Sequence, residues 1–144
     1  MFWMTGFLAS EAALAAFLED FENGMVSRAV WTHSAHVAMA ACYCISCDES
    51  TALAKVRGSI RRLNQCLGNR NTEEDGYHET LTVFWLSVVR SFLTAHPPHS
   101  RLEAARSAVA EYGGSSGYFR RFYSFDVLNS REARARWIPP DLPG

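Results

Sequence analysis

The stretch D-G-Y-H-E-T-L-T-V-F-W-L-S-V-V-R-S-F-L-T, Asp75–Thr94, decides the fold. A polar, acidic loop ends at Gly76, and an almost wholly apolar run follows. Advanced at about 100° per residue, Tyr77, Leu81, Phe84, Trp85, Val88, Val89 and Phe92 fall on one broad face. Thr80, Ser87, Arg90, Ser91 and Thr94 fall on the other. That is helical spacing, so a helix of about five turns is expected from Asp75 or Gly76 to roughly Thr94. His78 then lies inside the apolar face, between Leu81 and Trp85, and Glu79 lies at its edge.

The chain on either side reads the same way. Ser10 caps a helix whose inner face is Leu14, Phe17, Leu18 and Phe21, with Gly24 as the stop. Thr32 caps a second helix, His33 to Cys47, rich in alanine. After a polar break at 48–51, Leu53, Val56, Ile60, Leu63 and Leu67 mark a third helix over 52–67, and Asn64 falls near its stripe. Pro97-Pro98 breaks the chain beyond the Asp75–Thr94 helix. Ser100-Arg-Leu-Glu103 forms a capping box that opens a fifth helix, ended by Gly113-Gly114. The tail from about 113 is irregular, with a turn or short helix over 115–121 and a last helix over 131–137. No strand-like alternation of useful length is present. The expected fold is all-α, a single domain spanning residues 1–144, with five to six helices and the second and fourth at the centre.

Composition narrows the function. With 48% hydrophobic and 20% charged residues, 144 residues suit one ordinary globular domain that buries its own core. A net charge of −1 provides no field for nucleic acid or an acidic membrane. The uncharged stretch 29–47 holds two histidines, hydroxyls and many alanines, which suits a central helix of a soluble domain better than a membrane span. The opening M-F-W-M-T-G-F-L-A-S lacks a basic leader region, and the four cysteines form no spaced disulfide framework, so a reducing cytoplasm is expected.

Chemistry concentrates at two helix starts. In W-T-H-S-A-H, Trp31–His36, the two histidines are three residues apart and share one helical face. Small residues beside them leave room for a neighbouring helix or a ligand. If the starts of the second and fourth helices pack together, His33, His36 and His78 meet Glu79 in one pocket. Three neutral imidazoles with an open position suit a divalent metal, zinc or iron, with Glu79 as fourth ligand or base. H-x-x-H is short for helical ligands, however, and the H-E-x-x-H signature of zinc hydrolases is absent. Without a metal, the same imidazoles serve as general acid or base and Glu79 orients them. The blander account gives His78 a hydrogen bond to a carbonyl or to Thr82. Trp31 and Tyr77 would line the pocket, and Asn71 and Arg61 would meet polar or anionic substrate atoms. Cys42, Cys44 and Cys47 read as core cysteines, since Cys42 and Cys44 lie on opposite sides of a helix. The aromatic run G-Y-F-R-R-F-Y-S-F-D reads as a seal on the core or as a pocket lid.

W-T-H-S-A-H at 31–36, I-R-R-L-N at 60–64 and N-T-E-E-D-G-Y-H-E-T at 71–80, with F-Y-S and S-R-E-A-R in the tail, resemble a family of small bacterial proteins. The likeness spans most of 30–137. It implies that Trp31, His33, His36, Asn71, Tyr77, His78 and Glu79 form one feature, and it adds no chemistry. The expectation is a small cytoplasmic enzyme acting on a small metabolite through His33, His36, His78 and Glu79. The alternative is a non-catalytic ligand-binding or accessory protein using the same pocket. A small-molecule ligand is the expected partner, and the wide apolar arc of the fourth helix also suits a homodimer interface.

Overall fold

The computed structural model describes residues 6–144. The first five residues of the opening stretch lie outside that range. Six α-helices follow in order: α1 Glu11–Glu22, α2 His33–Ser46, α3 Glu49–Cys66, α4 Glu79–Ala95, α5 Arg101–Tyr112 and α6 Arg131–Ala135. A 3₁₀ turn at Gly6–Leu8 precedes α1, and another at Tyr118–Phe122 links α5 to α6. The chain is all-α, with no strand among the described residues.

Side-chain caps set most helix starts. Ser10 accepts from the Ala13 N–H at 3.0 Å, Thr32 from Ala35 at 3.3 Å, Ser100 from Glu103 at 3.0 Å and Ser130 from Ala133 at 3.1 Å. Each bond satisfies a first-turn N–H that has no intrahelical partner. Two starts differ from the sequence expectation. Asp48 accepts from the Thr51 N–H at 2.8 Å, so α3 begins at Glu49, ahead of the expected residue 52. The α4 helix begins at Glu79 and not at Asp75 or Gly76. Gly76 has φ +85°, and a Cβ there would stand 2.0 Å from the Arg70 carbonyl oxygen. Only glycine enters that left-handed region cheaply, so the chain turns there and the helix waits for the next cap, His78.

Helix α2 is the centre. It buries Ala35, Val37, Ala38, Met39, Ala40, Ala41, Cys42 and Tyr43, and it packs most extensively on α5 and next on α4. Its alanines meet Ala104, Ala105 and Ala108 of α5, all fully buried, so the two backbones approach closely. Phe21, Leu14 and Leu63 close the main core, each contributing about 1.5–3 kcal/mol by burial.

A second core forms on the far side of α4, where Phe84 packs with Phe119, Tyr123, Val127 and Ala133 of the tail. The tail is therefore structural. Thr80, assigned to the polar face of α4 by spacing alone, is fully buried. Its hydroxyl donates to the Arg136 carbonyl at 2.8 Å and accepts from the Ile138 N–H at 3.0 Å. Trp85 and Val88 also pack against this second core, which covers part of α4's wide apolar arc. No described helix is long and apolar enough to cross a membrane.

Candidate functional site

A cavity of about 600 Å³ opens between the N-terminal halves of α2 and α4, with α3 behind and the tail across one side. His33, His36 and His78 all line it, as do Trp31 and Tyr77. The two distant helix starts thus meet around one space. Arg61, Asn71 and Glu79, placed in the same pocket from sequence, are not among its lining residues.

The three imidazoles are held by backbone carbonyls, and each bond fixes a tautomer. His36 sits at the first turn of α2 and donates Nδ1–H to the Thr32 carbonyl at 2.7 Å. Because a carbonyl only accepts, the proton is on Nδ1 and Nε2 carries a bare lone pair. The ring lies on Trp31, with centroids 3.8 Å apart. Enclosure by the cavity wall pushes the imidazole down to about 4, and neighbouring His33 adds to the effect while the Thr32 carbonyl opposes it. His33 donates Nε2–H to the Tyr112 carbonyl at 3.1 Å and meets Trp85 edge-on at 4.8 Å. Its Nδ1 is the bare nitrogen. Burial lowers its pKa against that same hydrogen bond. Both rings are neutral near pH 7.

His78 is different. It caps α4, its Nδ1 accepting from the Leu81 N–H at 3.2 Å while Nε2–H donates to the Val127 carbonyl at 2.9 Å. Both ring nitrogens are occupied, and only the neutral Nε2–H tautomer satisfies both bonds. Burial lowers its pKa. His78 thus stitches α4 to the tail, with a carbonyl partner as in the blander account of the sequence. Thr82 does not bond the ring, since its hydroxyl donates to the His78 backbone carbonyl at 2.8 Å.

Glu79 lies off the cavity lining. Its carboxylate turns to α3, where Arg57 donates Nε to Oε1 at 3.0 Å and a terminal nitrogen to Oε2 at 2.7 Å. The Tyr77 hydroxyl donates to Oε1 at 2.6 Å. Burial alone would raise the carboxyl pKa, but these donors and the nearby charges of Arg57 and Arg61 hold it below its usual value. Arg61 stacks over the Tyr77 ring, 4.9 Å from its centroid. Asn71 is a loop staple: Oδ1 accepts from the Tyr77 N–H and from the Asn64 amide, both at 3.1 Å, and Nδ2 donates to the Arg61 carbonyl at 3.0 Å. Arg61 and Asn71 thus support the wall from behind and are not part of the lining.

The expected zinc or iron triad is also corrected. Among the described residues, no three His, Cys, Asp or Glu side chains are grouped so as to hold a metal ion. The physical reason is local, since His78 offers no free nitrogen and Glu79 faces Arg57. The cysteines form no cluster either. Cys42 is buried with its thiol pushed up to about 12, Cys44 is half-buried and raised to about 11, and Cys66 is exposed. Burial is the first cause of both shifts, so the thiolates that nucleophilic chemistry needs are scarce.

Asn64, Trp85, Phe119 and Arg134 also line the cavity. Asn64 had a sequence signal, a lone amide beside the α3 stripe, and Trp85 was on the inner face of α4. Phe119 and Arg134 had none, because the tail's path across the cavity is a tertiary fact. Arg134 donates to the carbonyls of Gly76 at 2.8 Å, Leu128 at 3.3 Å and Tyr77 at 3.5 Å, which ties the tail to the loop before α4.

Compared with known proteins, the chain matches no family model, no curated protein and no solved structure.

Proposed function

We propose that this chain binds a small molecule in the cavity between α2 and α4, with His33 and His36 meeting its polar atoms. One observation carries the reading. Two neighbouring imidazoles line a cavity of about 600 Å³, each anchored by one nitrogen and with no protein partner on the other among the described residues. A satisfied core histidine uses both nitrogens, as His78 does. The volume falls in the range typical of small-molecule sites, about 300–1,000 Å³. The four free cysteines accord with a cytoplasmic setting.

The test is a fragment screen followed by the ring resonances of labelled histidine. Ligands of this site shift His33 and His36 together and lose about tenfold or more in affinity in Thr82→Phe, which pushes a ring into the cavity from a half-buried position. A screen whose hits leave both rings unmoved ends the reading.

A catalytic version of the same site has one observation in its favour. The Thr32 carbonyl holds the proton on His36 Nδ1 and leaves Nε2 bare on a ring that lines the cavity, the arrangement of a proton acceptor. The chain would then be an enzyme acting on a small metabolite. Turnover of a bound molecule that is lost in His36→Gln, with affinity kept, is the result that carries it. Turnover unchanged in His36→Gln removes it.

A further inference from the structure

We infer that the ligand of this cavity is an uncharged, planar aromatic molecule carrying at least two N–H or O–H donors along one edge. The inference rests on the binding reading above and adds the chemical class.

The first argument is the set of lone pairs. His33 Nδ1 and His36 Nε2 are bare because Tyr112 and Thr32 carbonyls take the other ring protons. Asn64 supplies a third acceptor. Its orientation is forced: Asn71 Oδ1 already accepts from the Tyr77 N–H, so Asn64 must direct its amide nitrogen there. Its own Oδ1 then remains without a protein donor among the described residues, on a side chain only 8% exposed that lines the cavity. None of these three acceptors is fully enclosed by protein, the fully enclosed side-chain atom without a partner among the described residues being Arg90 Nη2, so each can accept from a bound molecule and the complement of this wall is a set of donors. Residues three apart on a helix put their Cβ atoms about 5–6 Å from each other, so one rigid edge spans His33 and His36.

The second argument is charge. Helices α2, α3 and α4 contribute no formal charge to the lining, since Glu79, the acid of α4's first turn, turns away to Arg57. The one carboxylate on the lining is Asp75, in the exposed loop. An ammonium seated against α2 would lack a counter-ion, and a buried unpaired charge is strongly disfavoured. A carboxylate seated there would face lone pairs. Of the two guanidinium groups on the lining, Arg134 already holds three carbonyls and Arg120 stacks on Phe119 at 4.7 Å in an exposed position.

The third argument is shape. Trp31, Trp85 and Phe119 line the cavity and provide flat aromatic walls for a planar ring.

Four probes decide the matter on the intact chain: 1,3-dihydrobenzimidazol-2-one, its N,N′-dimethyl twin, 2-naphthoate and naphthylmethylammonium. Binding is followed by the histidine ring and tryptophan indole resonances. The donor-bearing cyclic urea should bind about tenfold or more tightly than its dimethyl twin and than either ion. That preference should vanish in a His33→Leu/His36→Leu variant that keeps its helical circular dichroism. The wild-type comparison of the four probes stands without any variant. If the dimethyl twin, the anion or the cation binds as tightly in this cavity, the proposed class is overturned while the cavity still binds small molecules. If no probe moves the His33, His36, Trp31 or Trp85 resonances, the binding reading itself falls.

Discussion

The starts of α2 and α4 look alike in sequence and do different work. Each offers histidine at a helix N-terminus beside an aromatic residue, Trp31 with His36 and Tyr77 with His78. At α4 both nitrogens of His78 are taken, one by Leu81 in its own helix and one by Val127 in the tail. At α2 the cap is Thr32, and that leaves the imidazoles free of capping duty. Each ring needs one carbonyl to hold it and keeps one nitrogen bare. The lesson is that the identity of the cap residue separates a structural histidine from an available one. Where a hydroxyl satisfies the first-turn N–H groups, nearby imidazoles remain available to meet a ligand.

The contrast breaks most severely at His78. Its replacement by alanine removes an N-cap, strands the Val127 carbonyl and opens space in the wall, so His78→Ala is expected to lose about 2–3 kcal/mol in urea unfolding. His78→Asn should recover the cap share but not the tail contact. A loss under about 0.5 kcal/mol would place His78 with His33 and His36 and erase the distinction.

Acid should come next in size. All three imidazoles have pKa values below 6.5 in the folded chain, so the unfolded chain binds more protons once pH drops under that value. Stability is therefore fully present above pH 6.5 and declines as pH falls, for His36 down to about 4. Glu79, held below 4.5, joins the loss only at lower pH. Urea midpoints between pH 7 and 5 should decline in the wild type and decline less in His36→Gln. A slope identical in the two proteins would show that His36 is not a buried neutral group.

The Arg57–Glu79 pair sharpens the comparison at a smaller scale. Glu79 is 14% exposed and Arg57 35%, so solvent screens the bidentate bond only in part. A double-mutant cycle with Arg57→Ala and Glu79→Gln should give a coupling of about 1 kcal/mol. Zero coupling would return Glu79 to the cavity as an available acid. The smallest effect belongs to the other end. His33→Gln and His36→Gln should each change stability at pH 7 by about 0.5 kcal/mol or less, since neither imidazole caps a helix or ties the tail to α4. Both should still alter probe binding, and a large stability loss without a binding change would make them structural.

Much of this molecule was legible along the chain. Ser10, Thr32 and Ser100 mark helix starts because a short hydroxyl beside an apolar-periodic run has few other uses. The alanine-rich α2 announced close packing, and two histidine-bearing starts suggested a shared pocket. Asp48 was read as part of a break when it is a cap, and Gly76 as a helix start when its positive φ forbids one. Spacing along α4 could not place the surroundings of Thr80 and His78, because the carbonyls they meet, Arg136 and Val127, belong to the tail. The tail was unreadable as a wall, since the aromatic residues of 118–123 bury against α4 only once α4's second face exists.

By itself the sequence determined an all-α chain with its second and fourth helices at the centre, because local propensities, caps and apolar periodicity are properties of neighbouring residues. Only the tertiary structure decided that His78 and Glu79 are occupied while His33 and His36 keep a nitrogen bare. Their partners, Val127, Arg57 and Tyr112, lie 49, 22 and 79 residues away from the groups they hold, and no local pattern encodes a hydrogen bond across that distance.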